Sequence, residues 1–186
     1  AYSLTDEHLI VDVTIKIKVK FAFITASKYV HHNREIWTRD GRQLLSIDTK
    51  TNDNGREFEV SGHLVDGGFE VTTLGETVLL PESVTPTSYW HPRTPQMQSL
   101  LNTQQGEVAR VQLVGEGGRY ALDGDIRDVN LVYDGKGCLV GLDFMPPKNK
   151  VPIFYELKTA YEGPGVEKLA THPLIGPCFD GDKNGA

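Results

Sequence analysis

The sequence predicts an all-β protein, built as a strongly curved antiparallel sheet or β-barrel, with a two-sheet sandwich as the competing architecture. Three observations carry this. A period of two holds from Leu9 to Phe23, short runs rich in β-branched and aromatic residues follow, and Asn-Gly and Asp-Gly pairs separate them. Closing such a sheet would remove its exposed edges, whereas a sandwich would bury the same alternating faces, and periodicity alone does not separate the two.

In the first segment Leu9, Val11, Val13, Ile15, Ile17, Val19, Phe21 and Phe23 take the odd positions, and Asp12, Thr14, Lys16, Lys18 and Lys20 the even ones. That pattern gives a strand with one dry and one wet face. Fully extended it would span about 50 Å, more than a small domain accommodates, so a bend or break is expected over Ala22 to Ser27. A second strand is expected over Lys28 to Trp37, with a turn at Arg39-Asp40-Gly41. Further strands are expected at Leu44 to Thr51, Arg56 to Val65, Gly68 to Thr73 and Thr77 to Leu80. Their joints are Asn52-Asp53-Asn54-Gly55, Asp66-Gly67-Gly68 and Gly75-Glu76, which makes these strands sequential antiparallel neighbours.

Pro81, Pro86, Pro92 and Pro95 interrupt the pattern, because none can donate to a ladder. Residues 81–106 therefore read as a long ordered connection with a short helix near Pro95 to Leu101, and loops of this length in compact domains tend to carry function. Strands resume at Glu107 to Val114, Arg119 to Asp125, Val129 to Tyr133, Cys138 to Met145 and Val151 to Thr159. Cys138, Val140, Leu142 and Phe144 share one face, and Ile153, Tyr155 and Leu157 share one face of the next strand. One β domain is expected over residues 1–161, followed by a glycine- and proline-rich tail over 162–186 that crosses the surface or frays.

A chain of 186 residues is long enough to bury a core unaided, and its 39% hydrophobic and 24% charged composition is that of a globular protein. The formal charge of -6 gives no reason to expect a nucleic-acid partner. No apolar run reaches the roughly 18–20 residues of a transmembrane helix. The start at Ala1 fits a processed export product or a trimmed chain. Cys138 and Cys178 allow one disulfide, and a bridge and two buried thiols both remain open.

No nucleotide-binding, metalloprotease or nucleophile-elbow motif appears, and the expectation is no metal and no cofactor. His31 and His32 are adjacent and point to opposite faces of a strand, so they do not share an ion. Asp53-Asn54-Gly55 and Asp123-Gly124-Asp125 lack calcium-loop spacing and read as turns. Cys138, inside an apolar strand face, reads as packing rather than as a nucleophile.

Two segments combine the residue types that chemistry needs. Tyr29, His31, Asn33, Glu35 and Trp37 share one strand face that mixes rings with polar tips, as a cavity wall does; the plainer reading is a row of cross-strand pairs on a wet face. His31 and Glu35 would lie about 13 Å apart, so each needs a partner from a neighbouring strand. In the proline-rich connection, Trp90 suits a plug at the end of a sheet, while Tyr89 and His91 are freer to meet a ligand. Asn102 and Gln104 fix either a bound group or the loop itself. Arg119 and Tyr120 set a cation beside a ring, the plainer reading being an ion pair and a core tyrosine.

An ordered set of motifs resembles DUF6134, a family of uncharacterised bacterial proteins, many with the look of exported proteins. The set comprises Tyr29-x-His31-x-x-x-Glu35-x-Trp37, Thr49 with Asp53-Asn54-Gly55, Thr87-x-Tyr89-Trp90 and Leu101-Asn102-Thr103-Gln104-x-Gly106. It continues through Arg119-Tyr120-x-Leu122-x-Gly124-Asp125, Tyr133-Asp134-x-x-Gly137 and Val140-Gly141-Leu142. The resemblance covers about residues 9–158 and implies an all-β, exported, periplasmic or secreted protein with no transferable reaction. This chain departs from the family in having His91 where relatives have Asn and Val132 where they have Trp. It also has a short stretch from Val114 to Arg119, and by this resemblance the family's N-terminal hairpin is expected to be absent, which would leave a sheet edge open to a partner or to the tail.

Three functions follow as expectations. The first is binding of a small amphipathic ligand through Tyr29, Asn33, Trp37, Trp90, Asn102, Gln104, Arg119 and Tyr120. The second is a metal-independent isomerase, lyase or cyclase using His31, Glu35, Tyr89 and His91 as acid–base groups. The third is an assembly protein, a homo-oligomer joined through a sheet edge.

Overall fold

A computed structural model describes residues 1–21, 24–145, 152–156 and 166–179. The all-β expectation holds: the described residues form two antiparallel sheets with little helix. Contacts within the chain group into two units. One is Ala1–Val84 with Leu101–Glu107; the other is Thr85–Leu100 with Val108–Ala186.

The sheet of the first unit is a meander in sequence order: β1 (Tyr2–Leu4), β2 (His8–Phe21), β3 (Ile24–Thr38), β4 (Leu44–Asp53), β5 (Arg56–Val65), β6 (Gly68–Thr73) and β7 (Glu76–Leu80). Its turns use the residues their backbone demands. Asn54 and Gly55, at φ 55° and 88°, close β4 onto β5, and Leu74 and Gly75, at 51° and 81°, close β6 onto β7. Both are two-residue turns with positive φ at each central position, whose twist matches that of the flanking strands. Alternation then assigns the faces. Leu9, Val11, Trp37, Leu44, Ile47, Val60, Phe69 and Val71 are almost wholly buried, whereas Lys16, Lys18, Lys50 and Glu59 are exposed. Gly62 is required by this packing, since a Cβ there would stand 2.6 Å from the Phe69 ring.

In the second unit the sheet runs β13 (Ile153–Glu156), β12 (Leu139–Phe144), β11 (Val129–Tyr133), β10 (Arg119–Gly124), β9 (Val108–Glu116) and β8 (Ser99–Leu101). Its core gathers Leu100, Ala109, Val111, Leu122, Leu131 and Tyr133. A one-turn helix, α1 (Val166–Ala170), and the residues after it bury Leu169, His172 and Ile175. Cys178 joins Cys138 in a disulfide spanning 40 residues.

Several expectations are corrected. Neither sheet closes into a barrel: among the described residues each has two ends. In the first sheet Pro81 follows β7 directly, and the hairpin series stops there. The long first strand ends at Phe21, at the stretch where a bend or break was expected, but the next strand begins at Ile24, before the expected Lys28. β2 pairs with β3 as far as Phe21↔Ile24, with one register shift at Val19/Lys20, and the pair continues past the end of β4 as a two-stranded arm. Residues 22–23 of the expected bend, and residues 151 and 157–159 of the expected Val151 to Thr159 strand, lie outside the described residues. Near Pro95 the structure has a single 3-10 turn, Thr94–Gln96, because the Val111 N–H binds the Gln98 carbonyl at 3.0 Å and draws the next residues into β8. Cys138 precedes β12 and is bridged, so it is not a packed thiol on a strand face. The tail buries residues over 169–176 and is tied covalently, whereas its residues 162–165 and 180–186 lie outside the described residues.

Candidate functional site

The row on β3 faces the dry side of its sheet, not a wet one. His31, Asn33, Glu35 and Trp37 are 4%, 3%, 0% and 0% exposed, while His32 and Arg34 between them are exposed. Polar groups in such a place must find partners within the protein. The Glu35 carboxylate accepts from Asn33 Nδ2 at 2.7 Å and from Trp37 Nε1 at 2.9 Å, two donors of its own strand placed two residues to either side. His31 takes its partners from elsewhere: Nδ1 meets Thr51 Oγ1 on β4 at 2.7 Å, and Nε2 meets Thr103 Oγ1 at 3.4 Å.

The segment Leu101–Glu107 covers this row. The Tyr29 hydroxyl donates to Gln104 Oε1 at 3.1 Å, Thr49 donates to the Thr103 carbonyl at 2.7 Å, and Thr73 donates to the Gln105 carbonyl at 2.9 Å. Asn102 shapes the segment from inside, its Oδ1 accepting from the N–H groups of Gln104 and Gln105. Gly106 lets it lie flat: φ is +76°, and a Cβ would come within 2.8 Å of Thr73 Cβ. Asn33 Oδ1 is left as a buried atom with no partner. Burial, with a smaller contribution from neighbouring His32, lowers the His31 pKa to about 4, so the ring is neutral at neutral pH.

Tyr89, Trp90 and His91 lie in the second unit. Tyr89 holds a positive φ of 59°, and its carbonyl accepts from the Tyr133 hydroxyl at 2.7 Å. Burial raises the pKa of its own phenol. Trp90 is buried with its ring 5.1 Å from that of His91, and His91 Nδ1 accepts from the Arg93 N–H at 3.1 Å. Tyr120 packs edge-on against Tyr133 in the core of this unit, and Arg119 is exposed, opposite Glu116 in register. The proposed residues thus divide: Tyr29, His31, Asn33, Glu35, Trp37, Asn102 and Gln104 belong to the first unit, and Tyr89, Trp90, His91, Arg119 and Tyr120 to the second.

Two grooves open on the first unit. One, of about 260 Å³, is lined by residues that include Asp12, His32, Arg34 and Asp48. The other, of about 520 Å³, includes Lys50, Glu57, Glu59, Thr72 and Leu74. Two pairs of opposite charges there lie across strands, Arg34 with Asp12 at 2.7 Å and Lys50 with Glu59 at 3.2 Å. Among the described residues no group of three or more His, Cys, Asp and Glu side chains is placed to hold a metal ion, and no helix is long and apolar enough to cross a membrane.

The free margin of β7 is a site that reading residue types overlooked. Val78 is opposite Val71 on the core face, yet it is 45% exposed, and Leu79 on the other face is 60% exposed. Because Thr73 and Glu76 close a two-residue turn, they bond to each other, and the pattern then alternates. Val78 and Leu80 thus bond to β6, while the N–H and C=O of Thr77 and Leu79 point outward. No other strand pairs with them among the described residues. A signal was available in Thr77-Val78-Leu79-Leu80, where apolar residues run consecutively instead of alternating.

The family model for a domain of unknown function, DUF6134, matches residues 2–157. No curated protein and no solved structure matches the chain.

Proposed function

This chain belongs to the DUF6134 family, and on that premise we propose that it acts by assembly, its β7 margin accepting an extended strand from a partner. The observation that carries this reading is a sheet edge with outward-pointing backbone groups at Thr77 and Leu79 and with Val78 and Leu79 exposed beside them. Unpaired edges of this kind template strand addition. Main-chain bonds supply the attraction, and alternate side chains supply the selectivity.

Support for the other readings is thinner. The hydrogen-bonding tips of the β3 row are engaged largely by the chain itself, and the larger groove sets Asp48, Lys50, Glu57 and Glu59 beside only two apolar side chains, Val60 and Leu74, where an amphipathic molecule calls for a broader apolar wall. A histidine with a pKa of about 4 is a weak base for proton transfer at neutral pH. The Cys138–Cys178 bridge favours an oxidising compartment reached by export.

The test uses a capped peptide of alternating Thr and Val with a terminal Lys, together with its N-methylated counterpart. The plain peptide should slow amide hydrogen exchange at Thr77 and Leu79, and the N-methylated one should not. Unchanged exchange at both amides with saturating peptide would remove the reading.

A further inference from the structure

We infer that the partner strand is the β7 of a second copy of this chain, paired antiparallel about a twofold axis through Val78; this rests on reading the β7 margin as an accepting edge. The register follows from which groups point outward. In an antiparallel pair, residues that exchange both backbone bonds must face each other with their N–H and C=O groups. Only Thr77 and Leu79 of β7 present theirs, so a symmetric pairing that uses both sets Thr77 opposite the partner's Leu79, and Leu79 opposite the partner's Thr77. Four hydrogen bonds result. Val78 then meets its own counterpart as a non-bonded pair, in which the Cα atoms approach to about 4.5 Å and the side chains are closest.

The side chains agree with that register. Val78 lies on the core face, opposite Val71 and Leu80's neighbour in the same apolar stripe, and its exposure reflects the lack of a next strand to cover it. A second Val78 supplies that cover. Glu76, the one charge of the strand, falls opposite the partner's Leu80, so no like charges meet. Centring the axis on Leu79 instead would set Thr77 against the partner's Pro81, which has no N–H to give. The result is a self-complementary contact that continues the seven-stranded sheet into its copy. With five residues from each side it is smaller than a standard interface, so it forms at raised protein concentration.

Both native cysteines are bridged, so an introduced thiol is the one free thiol of its variant. Val78→Cys under mild oxidation should give a covalent dimer at a yield at least about tenfold above Leu79→Cys. In the proposed register the two Leu79 Cα atoms lie roughly 8–9 Å apart, beyond disulfide reach. Sedimentation of the unmodified chain should show a concentration-dependent dimer, and Thr77→Pro, which deletes an outward donor and no β6 bond, should weaken it about tenfold or more. Equal cross-linking of the two cysteine variants would overturn the register. A chain that stays monomeric while the Thr-Val peptide still protects Thr77 and Leu79 would reject the second copy and leave the accepting edge standing. Loss of both signals would end both.

Discussion

Within the first sheet, β3 and β7 stand in contrast. β3 carries the residue types associated with chemistry, two histidines, an asparagine, a glutamate and a tryptophan, and spends those on its buried face in bonds to its own strand, to Thr51 and to Thr103. β7 carries Thr, Val and Leu, and leaves backbone groups facing outward. A strand in the middle of a sheet has neighbours to satisfy whatever it presents, whereas a strand at the margin does not. Reactive side chains are therefore engaged within the fold here, and plain ones lie beside backbone groups that face outward.

Substitutions can break or sharpen this contrast. Glu35→Ala removes the acceptor of two buried donors, Asn33 Nδ2 and Trp37 Nε1, and should lower unfolding stability by about 4 kcal/mol in urea titrations. A loss below ~1 kcal/mol would show that the row is not a structural network.

Acid is the next largest lever. His31 has a folded pKa of about 4 against an ordinary value of 6.5, so the unfolded chain takes up a proton first as pH falls. Its contribution to stability is whole above pH 6.5, declines between there and pH 4, and levels off below; the full change is about 3 kcal/mol. His31→Gln should flatten that part of the stability–pH curve, and an unaltered slope would place the titration elsewhere.

Gly106→Ala should cost roughly 2 kcal/mol through positive φ and the contact with Thr73. By loosening Thr103 it should also move the His31 titration, followed by imidazole NMR, back toward 6.5. A His31 titration that stays in place would mean that the covering segment does not control the burial of the ring. Smallest of all, Thr77→Pro should change unfolding stability by less than ~1 kcal/mol, because its N–H bonds no neighbour in the sheet. A larger loss would show that β7 belongs to the core after all.

The alternation that made β5 and β6 readable to the residue also put Tyr29 to Trp37 on one face, because side-chain direction is a local property of a strand. Which face was dry was not local. It depended on Thr49 and Thr51 in the next strand and on Thr103, 72 residues from His31. The short strands β1 and β8 were missed since three residues carry no period, and β8 forms because the Gln98 carbonyl meets Val111. The Cys138–Cys178 bridge was one of two open readings, for spacing does not reveal which thiols meet. The β7 margin escaped notice because a free edge is defined by what fails to pair with it, and no residue type announces that.

The disulfide also bears on where this protein can be cut. The family match ends at residue 157, yet Cys178 beyond it is fastened to Cys138 within it. A protease that nicks the backbone once between those two cysteines leaves the distal piece tethered, and the fragments part only when thiol is added. Trimming to the family boundary would orphan the Cys138 sulfur and leave a reactive group on an otherwise thiol-free molecule.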